Sequence, residues 1–192
     1  MKKMKNTLFE TPSQTAGPFL HIGCTPNLIG IKSIFNEDIA CRPFEAVKSE
    51  ELIKISGKVF DGSNNPVLDV MIETWQCNQN GMFDRTKGFS RITSNLNTGT
   101  FDLRTVKPGY TKDFNGKLQS PHILFFIVAR GMNQPLITRM YFEEKELEKD
   151  YLYKVVKDKN RINTLLAKKN NDKEYIFDIY LQGNNETIFF DF

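Results

Sequence analysis

Histidine is nearly absent from this chain: its 192 residues include only His21 and His122. A metal site that needs three imidazoles therefore cannot be assembled from one copy. Cysteine is also scarce. Cys24, Cys41 and Cys77 form an odd set with no CxxC pair, which argues against a disulfide framework and a zinc–thiolate cluster. Free thiols in a reducing cytoplasm are the expected state. The chain has no GxGxxG, GxxxxGK(S/T), GxSxG or HExxH. Dinucleotide, P-loop, serine-hydrolase and zincin chemistries thus lose their usual sequence support. No stretch approaches the ~20 apolar residues of a membrane span. The start, Met1-Lys2-Lys3-Met4-Lys5, lacks the apolar run of a signal peptide, so a cytoplasmic protein is expected. Net charge is only +3, with Lys scattered among Asp and Glu. No extended basic face offers itself to nucleic acid.

What the chain does have is phenylalanine, 16 residues of it, and a period of two. Ile53, Ile55, Gly57 and Val59 share one face of a strand starting at Leu52, which Asp61-Gly62 ends as a turn. Val70–Gln76 alternates in the same way and runs toward a second turn at Asn80-Gly81. In Gly99–Thr105, Phe101, Leu103 and Thr105 oppose Asp102 and Arg104, and Pro108-Gly109 follows. His122–Ala129 is almost continuously apolar, the pattern of a strand covered on both faces. Thr138–Phe142, Tyr175–Gln182 and Thr187–Phe190 complete about seven short strands separated by turn signals. Ile162, Leu165 and Leu166 instead keep helical spacing within Asp158–Lys169, with Asp158 as a cap. Residues 1–20, with Pro12, Gly17 and Pro18, read as an extended arm with a turn. The expectation is an all-β antiparallel sandwich with one or two short helices, a single domain over 1–192 preceded by that arm. Residues 24–50 give no clear pattern.

Longer strings carry more specific information. They include Thr11-Pro12-Ser13-Gln14-Thr15-Ala16-Gly17-Pro18, Ile72-Glu73-Thr74-Trp75-Gln76 and Arg104-Thr105-Val106-Lys107-Pro108-Gly109. Pro121-His122-Ile123, Phe126-Ile127-Val128-Ala129-Arg130-Gly131, Thr138-Arg139-Met140-Tyr141-Phe142 and the ending from Gln182 follow in order. From about residue 8 onward, this set resembles the intradiol ring-cleavage dioxygenases. The resemblance implies a β-sandwich of the intradiol dioxygenase type. It also implies a non-haem Fe(III) held by two tyrosines and two histidines, which chelates a catechol and prepares it for O2. Phenolate and imidazole donors suit a hard ferric ion.

Carried over one by one, the four ligand positions fall on Phe83, Thr111, His122 and Leu124. Only His122 keeps its ligand type. Tyr110 stands one residue early, and a one-residue slip in extended chain turns a side chain to the other side. Arg139 stands where catalytic chains of the family often carry Gln. The resemblance therefore points to an alpha-type subunit that binds no metal itself. Its partner would be an iron-bearing beta subunit in an alpha/beta hetero-oligomer acting on a small aromatic substrate and O2. To that shared pocket it would lend Thr15, Gly17 and Pro18 from the arm and Arg130 after the long strand. Without the resemblance, Arg130-Gly131 reads as a solvated turn with a surface ion pair, and His122 as a structural residue. Two other readings stand beside this one: a homomeric enzyme with an altered site using Tyr110 and His122, and a non-catalytic β-sandwich binding module.

Overall fold

The computed structural model describes residues 15–17 and 19–191. After a short helix α1 (Phe19–Cys24), the chain forms β1 (Leu52–Phe60), β2 (Met71–Trp75), β3 (Phe89–Thr93) and β4 (Thr100–Val106). Next come β5 (Thr111–Lys112), β6 (Leu118–Gln119), β7 (His122–Val128) and β8 (Leu136–Tyr141). Helices α2 (Glu144–Leu147) and α3 (Tyr151–Val155) lead to β9 (Lys168–Asn171), β10 (Glu174–Ile176) and β11 (Ile179–Tyr180).

Two sheets form a sandwich. One runs β3-β2-β7-β8, antiparallel throughout. The other centres on β1, which pairs antiparallel with β4 and parallel with β10 and β11, with β9 outermost. Those parallel pairings depart from the expected antiparallel pattern.

Alternation explains why the sheets meet. Along β1 every second residue is buried, from Ile53 to Val59, because successive side chains of a strand leave on opposite faces. The buried set packs with Phe101 and Leu103 of β4 against Ile72 of β2 and Ile123, Phe125 and Ile127 of β7. The Phe125 ring sits 6.1 Å from Phe101 and 5.3 Å from Phe177, distances at which tilted aromatic pairs attract.

The expected Tyr175–Gln182 strand is interrupted where it crosses Gly57. Phe177 N donates to Ser56 O at 2.8 Å, and the Asp178 carboxylate accepts from Lys58 N at 3.0 Å. A side chain thus replaces one rung of the ladder, and the strand splits into β10 and β11. Thr187–Phe190 forms no strand either. Thr187 N bonds to Tyr180 O and Phe190 N to Ile137 O, two isolated anchors without a continuous partner. Asp158–Lys169 is corrected as well. Residues Lys159–Leu165 form a 3-10 helix, and Lys168 already opens β9. Asp158 caps it as expected, accepting from Asn160 N at 3.0 Å.

β7 corrects a further expectation. Ile123, Phe125 and Ile127 are buried, but Leu124, Phe126 and Val128 on the opposite face are only half-buried. The outward side carries Trp75, Leu124, Phe126 and Ile137 in partial contact with solvent; at the His122 end it is covered as well, where Tyr141 packs with Leu147, Ile162 and Leu165. No helix among the described residues is long and apolar enough to cross a membrane.

Candidate functional site

The residues singled out by sequence fall into two groups at opposite ends of β7. At its far end lie Thr15, Gly17 and Arg130. Ala16 makes an isolated parallel bridge with Arg130, and the Thr15 hydroxyl accepts from Gly131 N at 2.6 Å. Gly131 has φ 86°, a left-handed turn that glycine adopts without a Cβ penalty. Arg130 donates through Nε (2.9 Å) and Nη2 (2.7 Å) to Asp69 Oδ2. Its side chain stays 70% exposed, so this is the surface ion pair that the residues alone suggest, worth at most about 1 kcal/mol. A groove of about 690 Å3 runs beside it, lined in part by Gly131, Met132 and Gln134.

The sequence suggests no role for His21, yet it is buried in this cluster. Its Nε2 lies 3.1 Å from the Asp69 carbonyl oxygen and its Nδ1 3.0 Å from Thr25 Oγ1. A carbonyl only accepts, so Nε2 donates to Asp69, and Nδ1 shares a hydrogen bond with the Thr25 hydroxyl. Asp69 therefore joins α1 to Arg130, and the 61 residues between Asp69 and Arg130 are a separation that no local pattern announces. A Cβ at Gly17 would meet nothing within 4 Å. Pro18 lies outside the described residues.

The four ligand positions gather at the near end of β7, on or beside the outward face. His122 and Leu124 share that face, and Leu124 pairs with Trp75 across to β2. Phe83 stacks on Trp75 with ring centroids 5.8 Å apart and planes 5° from parallel. Thr111 is buried and pairs with Gln119. Asn80-Gly81 forms the predicted turn, and a Cβ at Gly81 (φ 75°) would come within 1.9 Å of the Tyr110 carbonyl oxygen. That contact seats the Phe83 loop against Tyr110 and Thr111.

His122 is 7% exposed. Its Nδ1 donates to Ser120 O at 2.7 Å. Burial, reinforced by the nearby Arg139 guanidinium, pushes its pKa down to about 3, so the imidazole is neutral at physiological pH. Tyr141 stands opposite His122, ring centroids 5.7 Å apart. Burial, helped by the Asp150 carboxylate, raises its phenol well above the ordinary range. Asp150 is itself buried and fixed, accepting from Ser120 N and Leu152 N at 2.9 Å each. It joins the start of α3 to Ser120, in the segment that leads into β7.

This set does not fit a ferric ion. Phe83 and Leu124 have no donor atom, Thr111 offers only a hydroxyl, and the single imidazole lies next to a permanent cation. Among the described residues no three His, Cys, Asp or Glu side chains group to hold a metal. Tyr110, the donor in the homomeric alternative, is 40% exposed and lies on the loop that meets Gly81.

The neutral burial of His122 has a pH signature. Its folded pKa lies below the unfolded value of about 6.5. Between pH 6.5 and about 3 the unfolded chain binds the extra proton. This contribution is therefore complete above pH 6.5 and is lost as pH falls, by up to about 1.4 kcal/mol per pH unit. Urea unfolding at pH 6.5 and 5.0 should show that loss in the wild type. It should be much reduced in His122→Asn, which keeps an N–H for Ser120 O. Equal acid sensitivity in both proteins would contradict the assignment.

The sequence profile described as "Dioxygenase" matches residues 35–183. The protocatechuate 3,4-dioxygenase alpha chain of Pseudomonas putida is 35% identical, over 95% of this chain and 96% of that relative. The protocatechuate 3,4-dioxygenase alpha chain of Burkholderia cepacia is 33% identical, over 96% of this chain and 98% of the relative. In fold, the chain is similar to catechol 1,2-dioxygenase from Pseudomonas arvilla C-1, with TM-score 0.58 and 20% identity over 74% of this chain and 55% of that one. A match through both sheets and two relatives that cover nearly all of the chain lead to one conclusion: this protein belongs to the dioxygenase family, in its intradiol ring-cleavage branch.

Proposed function

We propose that this chain is the alpha-type, non-iron-binding subunit of a protocatechuate 3,4-dioxygenase. The complex cleaves 3,4-dihydroxybenzoate with O2 to 3-carboxy-cis,cis-muconate. The observation that carries this reading is the contrast between the two ends of β7. One end holds four ligand positions with a single imidazole among them. The other presents an exposed guanidinium and an arm tied to it. The ends are separated by the seven-residue β7, roughly 23 Å at 3.3 Å per residue. They cannot serve one small substrate within a single chain, so the Arg130 end faces a reaction centre on another polypeptide.

The ferric ion of the partner beta subunit supplies chelation and activation of the catechol. This chain supplies walls and charge. Arg130 attracts and orients the carboxylate of protocatechuate through charge-assisted hydrogen bonds. Asp69 holds two of its N–H groups and leaves the others for the substrate. The Thr15–Gly131 bond fixes the arm beside Arg130. Gly17 has open space where a Cβ would be and Pro18 limits backbone freedom, so the arm can lie flat along an aromatic ring. The half-buried apolar face of β2 and β7 is suited to cover by the partner. A cytoplasmic location agrees with three unpaired cysteines.

Co-expression with an iron-bearing beta chain tests the reading. The expected product is a stable complex that consumes O2 with protocatechuate, with neither chain active to the same degree alone. A beta chain that is fully active without this one, and that does not bind it, would refute the proposal.

A further inference from the structure

The near end of β7 holds a charge where a metal-binding family would place its ion. Arg139 lies directly across from Leu124, and Tyr141 directly across from His122. Cross-strand partners leave a sheet on the same face, so all four side chains enter one patch. His122 and Arg139 are each 7% exposed and Tyr141 is 0% exposed. Asp150, 1% exposed, approaches from the α2–α3 segment. Its two carboxylate oxygens already accept from Ser120 N and Leu152 N. The guanidinium thus lies beside the surviving imidazole and across from a position that has lost its donor. Its field is felt at both neighbours, disfavouring protonation of His122 and favouring the phenolate of Tyr141.

We propose that Arg139 is a built-in organic cation that takes the electrostatic place of the metal and closes this pocket to metal ions, independently of the missing donor atoms. Loss of donors lowers affinity. A buried like charge opposes any incoming cation even when donors are present, and low local polarity strengthens that repulsion. Guanidinium does not deprotonate in proteins, so the block holds across the working pH range. A chain locked in this way cannot draw iron from its partner or assemble a half-formed site. Restoring ligands alone would not reopen the pocket.

The test uses the full-length chain and Co2+ as the probe, read by its visible absorption and by titration calorimetry. Leu124→His places two imidazoles two residues apart on one strand face, a chelating pair. With Arg139 retained, this variant should not bind at up to about 1 mM Co2+. Leu124→His/Arg139→Gln should bind at least about 100-fold more tightly, a difference of about 2.7 kcal/mol. Leu124→His/Arg139→Lys, which keeps the charge, should remain closed. Far-UV circular dichroism confirms folding of each. If the Gln double variant does not fold, Leu124→His/Arg139→Met provides the neutral comparison. A further arm needs no second substitution: Leu124→His should stay metal-free at pH 9, where its imidazoles are neutral. Tight binding by Leu124→His at either pH, or no binding by a folded neutral double variant, would overturn the proposal.

Discussion

Arg130→Ala in the assembled enzyme should raise the KM for protocatechuate about tenfold and leave catechol within about threefold. Of the two, only protocatechuate carries a carboxylate, the group that the proposed role of Arg130 recognises. A hydrogen bond to a charged group contributes about 1.5–3 kcal/mol, which would correspond to 10- to 150-fold. Two observations place the effect at the low end. The guanidinium is 70% exposed and already paired with Asp69, so solvent and a fixed carboxylate both weaken its attraction for a second anion. Arg130→Lys should recover only part of the loss, because an ammonium cannot hold Asp69 and a carboxylate with the same planar fork. Steady-state O2 consumption with both substrates provides the measurement. Equal losses for the two would remove Arg130 from substrate recognition and leave it a role in holding the arm.

The largest expected effect on folding comes from Gly57. A Cβ there would lie 2.0 Å from the Phe177 carbonyl oxygen and 2.9 Å from the Phe101 ring. The first obstacle is backbone that is itself bonded to Ser56 O, so no side-chain rotation relieves it. Accommodation requires moving the connection between β10 and β11 away from β1, together with the Phe101–Phe125–Phe177 ring cluster. Overpacking of a core alone costs about 1–3 kcal/mol, and broken strand pairing adds to it. Gly57→Ala should therefore destabilise the chain by about 3–5 kcal/mol, a large share of the usual stability of a domain. Gly57→Val should not yield folded protein. At Gly23, inside α1, an added methyl group would meet nothing within 4 Å. Gly23→Ala should be neutral or stabilising by up to about 1 kcal/mol. Urea unfolding of both alanine variants checks the contrast, and similar midpoints would contradict the packing argument.

The parts of the fold that can be read in the sequence are those whose burial alternates. β1 and β4 pair in full register from Leu52↔Val106 to Lys58↔Thr100, and their inward residues are the ones that the period of two selects. β9 cannot be read in this way: Lys168–Asn171 is polar and exposed throughout, held by pairing with β10 rather than by any apolar face. Thr187–Phe190 has the composition of a strand but lacks a continuous neighbour, which composition does not reveal. In Lys159–Leu165, the spacing of Ile162 and Leu165 fits three residues per turn as well as 3.6, so the tighter helix is hidden behind the expected one.

The site divides along the same line. Phe83, Thr111, His122 and Leu124 can be placed through a family resemblance, and the structure brings them to one end of the sandwich. The interactions that give the two ends their electrical character are not visible in the sequence. Asp69 meets Arg130, and Arg139 meets His122, only because the sheets are paired as they are. A scan for anions within a few residues of Arg130 does not reach Asp69.

In the proposed division of labour, this chain has no metal centre of its own and completes that of another. Iron analysis of the purified chain, alone and after assembly with a beta chain, tests this directly. The isolated chain should hold no stoichiometric iron and show no ferric–phenolate absorption. The active complex should contain one iron per alpha/beta pair, all retained by the beta chain on separation. Stoichiometric iron in the isolated chain, with ring-cleaving activity, would contradict this division.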